Sequence, residues 1–281
     1  MYLLIDLSYA CFNKFYATKK YYSLSKPEIS LDNVETWHEV PGFIEQFTKS
    51  FKKDIFNIKK KLNINWNQII FAKDCARKNI WRNEIYQDYK GTRDEMHKKQ
   101  KFNGGEIFVY MYNTLIPNLI KEYGVKLISC QNAEGDDIIA VLTKYLVENK
   151  NEQVTIIAND NDYLQLLNEN IFLANIKLKY KHIENNKNEL WIKILSGDTS
   201  DNILPCQIKK KYINENCKNN NYVKCTKSNV KKLLEKETFL VDLFSKDIIS
   251  NNQHIINRNL IDFNFIPNNI KSDIIKEFLR L

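Results

Sequence analysis

The chain has 281 residues, 43% of them hydrophobic and 27% charged, which excludes wholesale disorder and allows one large domain or a main domain with an appendage. Its 42 basic and 34 acidic residues leave a formal charge of +8, which suits a polyanionic partner and equally suits a lysine-rich composition, so the placement of the charges has to decide. The longest apolar runs, such as Gln68–Ala72 and Val154–Ala158, are too short to span a bilayer, and no membrane partner is expected.

Tyr2–Ile5 reads as a buried strand and not as a signal peptide, because no basic segment precedes it and Asp6 follows at once. Helical patterns follow over Ser8–Ala17 and Pro41–Leu62, then a strand over Gln68–Lys73. From Tyr86 to Asn103 the chain is basic with few apolar anchors. Helix Gly105–Tyr123, strand Val125–Ser129, helix Glu134–Glu148 and strand Val154–Ala158 come next, and Ile171–Asn175 with Lys177–Ile183 reads as an antiparallel edge. A polar Lys/Asn/Cys insertion runs from Pro205 to Tyr222 and does not read as core. Short helices over Ser228–Leu234 and Thr238–Lys246, then Ile270–Leu281, complete the pattern. Strands separated by helices predict an α/β fold with a mostly parallel central sheet and helices on both faces.

The six cysteines form no CxxC pair, so free thiols in a reducing compartment are expected. Cys206, Cys217 and Cys225 share one stretch, but their spacing fits no standard zinc site.

Acids recur where the predicted strands end. Asp6 closes the first strand, Asp74 the second, and Asp160 with Asp162 the fourth, while Glu134, Asp136 and Asp137 open the helix after the third. In an open parallel sheet these ends converge on one crevice. Glu134 and Asp137 share a helix face and Asp136 is rotated from it; Asp198 and Asp201 repeat that spacing further on. Any one of these acids reads as a helix cap or turn residue. Together they repel one another unless cations neutralise them, and oxygen-only ligands favour magnesium or manganese over zinc. Two such ions about 3.5–4 Å apart can serve phosphodiester hydrolysis.

Beside the second acid lie Arg77, Lys78, Arg82, Tyr86, Tyr89, Lys90 and Arg93. Cations there could hold phosphate, and Tyr86 or Tyr89 could stack on an unpaired base. The alternative is a charged helix with Trp81 and Tyr89 packed inside.

On these residues the chain resembles the 5′ nucleases: flap endonucleases, the 5′ exonuclease domain of bacterial DNA polymerase I, and phage 5′ exonucleases and ribonuclease H. The resemblance rests on Leu3–Ser8, on Phe71–Asp74 with Trp81-Arg82 and Tyr89–Arg93, and on Ala133–Asp137, Ala158–Leu166 and Ser196–Ile203, in that order. It implies a first metal site of Asp6, Asp74, Glu134, Asp136 and Asp137, and a second of Asp160, Asp162, Asp198 and Asp201, for two Mg²⁺ with Mn²⁺ as a substitute. It also implies Lys90 at the scissile phosphate with Arg82 and Arg93 nearby, and a helical arch over about 86–105. The implied organisation is a nuclease core over 1–202 and a helical DNA-binding region over 203–281, with the polar insertion at about 207–222.

The implied activity is 5′→3′ exonuclease and flap endonuclease cleavage of DNA carrying a 5′ flap or 5′ end, in replication or repair. It leaves a 5′-phosphate and a 3′-hydroxyl, with RNA/DNA hybrids as a further substrate. A monomer inside the cell, in contact with replication proteins, is the implied setting. One departure is plain. The family's glycine-rich helix-hairpin-helix, which often holds potassium, lacks its glycines here, and Val223–Leu234 with Lys227 on phosphate would be its displaced second half. The potassium assignment therefore rests on a motif that this sequence only partly keeps. Two other readings share these residues, a 5′→3′ exoribonuclease or PIN-type ribonuclease and an inactive module that binds branched DNA. The helix-hairpin-helix remnant weighs against the PIN type, and the complete set of carboxylates weighs against inactivity.

Overall fold

A computed structural model describes residues 1–31, 34–99, 102–182, 186–213, 221–234, 249 and 252–281. The chain divides into two compact units: Met1–Asn79, Lys99–His182 and Asn268–Leu281 form the first, and Ile80–Lys98 with Ile183–Pro267 form the second.

The first unit is built on a parallel sheet of five strands: β1 (Tyr2–Asp6), β2 (Ile69–Ala72), β3 (Lys126–Ile128), β4 (Val154–Ile157) and β5 (Ile171–Ala174), in the order β3-β2-β1-β4-β5. β2 and β4 are buried along their whole length, as continuous apolar runs in a two-sided parallel sheet should be. Leu3, Ile5, Ile69, Phe71 and Ile157 face one core, where they meet Phe15 of α1 (Leu7–Ser25), Phe47 and Phe51 of α2 (Phe43–Leu62), and Leu119 of the helix Ile116–Tyr123. The alternate residues Leu4, Ile70 and Ile156 are equally buried, and the helix Gly135–Lys150 contacts β1, β2 and β4. Helix Asn268–Arg280 returns to this unit and packs on helix Gly135–Lys150 and β3.

Three expectations need correction. The run Ile171–Ala174 pairs parallel with β4, and the described part of the next run, residues 177–182, contributes an isolated antiparallel bridge between Tyr180 and Ala174. Helix α1 extends to Ser25 because Thr18 and Tyr22 are buried beyond the predicted end. The helical run Gly105–Tyr123 is interrupted by a π-helical turn over Met111–Leu115.

The second unit has its own core of Ile192, Leu195, Cys206, Ile208, Cys225, Val230, Leu233 and Ile249. Part of the presumed polar insertion is therefore core: Gln207–Lys209 and Tyr222–Lys224 pair antiparallel and bring Cys206 and Ile208 inside. Asn257, fully buried on the helix Gln253–Ile261, donates to the carbonyls of Ile194 at 2.7 Å and Leu204 at 2.8 Å. One buried amide thus ties two backbone carbonyls together. Cys206 and Cys225 are free buried thiols; Cys217 and the expected helix Thr238–Lys246 lie outside the described residues.

Candidate metal and phosphate site

Strand order reverses beside β1, between β2 on one flank and β4 on the other, so the crevice at the carboxyl ends of β1 and β4 is the topological switch point of the sheet. Asp6 ends β1 and caps α1, accepting from the Tyr9 amide at 2.9 Å. Asp74 follows β2 and is gripped at both oxygens, by the Gly135 amide at 2.7 Å and by the Ser8 hydroxyl at 2.5 Å. Burial, then the Asp74 charge, with a further push from Asp160, raises the Asp6 carboxyl from its ordinary 3.8 to about 7. The Tyr163 hydroxyl, 3.3 Å away, donates to Asp6. Burial and the same group of acids push Tyr163 up, as burial does Tyr112, so both phenols stay protonated donors.

Glu134, Asp136 and Asp137 each offer an oxygen within 4.8 Å of the others. Glu134 and Asp137 are buried and also form a capping box at the start of helix Gly135–Lys150. Burial, with the charges of Glu134, Asp74 and Asp137, pushes the Cys75 thiol up to about 12, so these acids share one neighbourhood. Asp160 is exposed after β4, with its carboxylate accepting from the Asp162 amide at 3.0 Å. Asp6, Asp74, Glu134, Asp136, Asp137 and Asp160 thus gather in the first unit. The donors are all oxygen, and burial, reinforced by the charges of Asp74 and Asp160, already raises the Asp6 carboxyl towards neutrality. That chemistry fits hard divalent cations.

Of the basic residues, Arg77 and Lys78 fall in the first unit, and Arg82, Lys90, Arg93 and Lys227 in the second. Asp201 is the second unit's hub. Its carboxylate meets Arg93 at 2.8 Å, the Tyr89 hydroxyl at 3.3 Å and the Lys90 ammonium at 3.8 Å, and its carbonyl accepts from the Lys90 amide at 2.9 Å. Lys90 takes a left-handed backbone, φ 56°, as does Asn202, φ 58°, which donates to the Asp88 carbonyl at 2.9 Å. Such conformations cost energy in non-glycine residues and recur where a side chain must be aimed. Burial raises the Asp198 carboxyl, but the Lys193 ammonium at 2.7 Å and the Ser200 donors outweigh it and hold it at about 2.

Arg82 is 2% exposed, donates to the Leu260 carbonyl at 2.8 Å and stacks on Trp81, so it supports the loop from inside. Tyr89 is buried with its hydroxyl on Asp201, the packed alternative that the sequence offered for it. Arg77, Lys78 and Lys227 are exposed, and Tyr86 is half-buried. Sequence reasoning missed Ser8 and Tyr163, whose hydroxyls reach Asp74 and Asp6, Tyr112, whose hydroxyl meets that of Ser8, and Lys181, whose ammonium bonds Asn159 at 3.1 Å and Asn161 at 2.9 Å on either side of Asp160.

Parallel strands that deliver oxygen-only acids to a switch point define a class of sites suited to divalent metals on an α/β sheet. The chain belongs to the 5′-3′ exonuclease family: the family described as "5′-3′ exonuclease, N-terminal resolvase-like domain" matches residues 1–193, and "T4 RNase H, C terminal" matches residues 186–280. A 5′-3′ exonuclease of Buchnera aphidicola subsp. Schizaphis graminum is 35% identical over 54% of this chain, and the match spans 52% of that relative, about half its length. The ribonuclease H of phage T4 is 25% identical over 79% of this chain and 73% of its own. Among solved structures, phage T5 5′-exonuclease with bound zinc superposes with a TM-score of 0.65 at 16% identity, covering 99% of this chain and 98% of that one. A phage T5 flap endonuclease in complex with DNA and metal ions gives 0.62 at 13% identity, with coverages of 99% and 97%. Among the described residues no helix is long and apolar enough to cross a membrane.

Proposed function

We propose that the chain is a structure-specific 5′ nuclease that hydrolyses DNA at 5′ ends and 5′ flaps, as exonuclease and as flap endonuclease, in replication or repair inside the cell. The observation that carries this reading is the gathering of carboxylates at the carboxyl ends of β1, β2 and β4, where burial and then the Asp74 charge raise Asp6. Family membership and the likeness to phage T5 flap endonuclease bound to DNA support it.

In this reading Asp6, Asp74, Glu134, Asp136 and Asp137 hold one Mg²⁺, and Asp160, Asp162, Asp198 and Asp201 hold a second, with Mn²⁺ as a substitute. When bound, two divalent cations make water more acidic and neutralise charge on the leaving oxygen. The protein's own groups do the rest. Lys90 and Arg93, aimed by Asp201, bind the phosphate; Arg77, Lys78 and Tyr86 bind the adjoining strand, and residues 203–281, Lys227 among them, grip the duplex. Residues 86–105 form the arch that passes the 5′ single strand, though 100–101 lie outside the described residues. RNA primers in a hybrid are a second substrate, a reading supported by the match of residues 186–280 to the C-terminal part of T4 ribonuclease H.

The test is a 5′-flap duplex labelled at its 3′ end, incubated with Mg²⁺ or EDTA. Cleavage near the junction only with metal, abolished in Asp74→Asn and Asp160→Asn while DNA binding persists, is expected. Wild-type cleavage in both variants, or tight binding with no cleavage in Mg²⁺ or Mn²⁺, overturns the reading. Matched DNA and RNA flaps then rank the substrates.

A further inference from the structure

Asp74 is held with more care than a turn residue requires. Its Oδ1 takes the Gly135 amide at 2.7 Å and its Oδ2 the Ser8 hydroxyl at 2.5 Å. Ser8 stands in the first turn of α1, and its oxygen lies 3.2 Å from the hydroxyl of Tyr112. A serine hydroxyl has a single proton. That proton goes to the Asp74 carboxylate, so the Tyr112 contact must run the other way, with the phenol donating to Ser8. The result is a directed chain, Tyr112 to Ser8 to Asp74. The Lys73 ammonium, 4.6 Å over the Tyr112 ring, adds a positive charge beside the donor.

Tyr112 lies within the π-helical turn Met111–Leu115. Such turns are rare, carry poorer hydrogen bonds than an α-helix and concentrate at functional positions. Here the turn keeps Met111 and Leu115 in the core while Tyr112 is only partly buried and reaches Ser8. An uninterrupted α-helix would change the angular spacing of these side chains.

We propose that Ser8 and Tyr112 are positioning residues that fix the Asp74 carboxylate for its metal, and that the π-helical turn over Met111–Leu115 serves to bring Tyr112 to Ser8. This rests on the proposed function only in taking Asp74 as a metal ligand. Groups that hydrogen-bond a ligand from behind set its orientation, and their loss weakens metal affinity about 10- to 100-fold.

Mn²⁺ affinity, measured on the full chain by calorimetry or by the loss of free-ion EPR signal, tests this without any cleavage assay. Tyr112→Phe keeps the ring and removes only the donor; it is expected to weaken Mn²⁺ about 10-fold while urea unfolding in EDTA stays near wild type. Ser8→Ala is expected to weaken it further, and Ser8→Thr, which retains a hydroxyl, to restore most of the loss. Wild-type Mn²⁺ affinity in both Tyr112→Phe and Ser8→Ala, with Asp74→Asn strongly impaired, overturns the relay and leaves the proposed function standing. Wild-type affinity in Asp74→Asn itself overturns both.

Discussion

Asp6 makes the metal-free protein's stability depend on pH in an unusual direction. Its carboxyl titrates near 3.8 when the chain is unfolded and at about 7 when folded, raised first by burial and then by Asp74. Between those values the folded state holds a proton that the unfolded state releases. Asp6 therefore contributes most below its unfolded pKa, and that contribution is lost as pH rises through about 7. At about 1.4 kcal/mol per pH unit, the span from 3.8 to about 7 corresponds to an upper bound of roughly 4 kcal/mol. The window from about pH 5 to about pH 7 carries roughly 2–3 kcal/mol of it. Urea unfolding of wild type and Asp6→Asn in EDTA across that window isolates the effect, since asparagine still caps α1 and every other titrating group is shared. The stability of Asp6→Asn relative to wild type should climb with pH. Adding Mg²⁺ should stabilise wild type at the upper end, where the carboxylate is ionised and can bind, and should do much less for the variant. A difference that stays flat with pH would refute the reasoning, because it would mean that Asp6 is solvated like an ordinary surface acid.

Three further outcomes are expected. Asp54→Ala leaves the Lys14 ammonium, 4% exposed and hydrogen-bonded to Asp54, buried without its counter-ion; it should cost about 3–5 kcal/mol in urea unfolding, whereas Lys14→Met with Asp54→Leu should recover most of that. Arg82→Ala should lower stability by about 2–3 kcal/mol by stranding the Leu260 carbonyl, and leave the salt dependence of DNA binding unchanged; a slope shallower by about one ion with stability intact would return Arg82 to the phosphate. Gly197→Ala meets both a positive φ of 68° and the Ile203 carbonyl oxygen, which its Cβ would approach to 2.4 Å; a loss of about 2 kcal/mol or more on thermal unfolding is expected, and wild-type stability would show that the turn can move aside.

The parts of this fold that the sequence made legible are those with a period or a sharp boundary. β1, β2 and β4 are apolar runs closed by acids, and those acids are also where the site lies. The direction of β5 was not legible, because Ile171–Ala174 has the same pattern in a parallel or an antiparallel pair. The π-helical turn left no mark, since one extra residue in a turn scarcely disturbs an apolar pattern. Cys206 and Ile208 were hidden by their polar neighbours: strands of three residues are too short to show alternation. Arg82 and Tyr89 carry side chains that suit a phosphate or a base as well as an interior, and only their burial separates the two. Ser8 and Tyr112 are 104 residues apart, and nothing local pairs them.

The threading of the two units bears on when the protein becomes competent. The first unit borrows helix Asn268–Arg280, which reaches helix Gly135–Lys150 and β3 only after the whole of Ile183–Pro267 has been made. Phe278 of that helix meets Tyr2 on β1 and Tyr145 on helix Gly135–Lys150, the strand and the helix that bear Asp6 and Asp137. A growing chain therefore holds its acids in an unfinished frame until that helix has been made. A ribosome that stalls before residue 268 would leave a fragment whose sheet still lacks one of its covers.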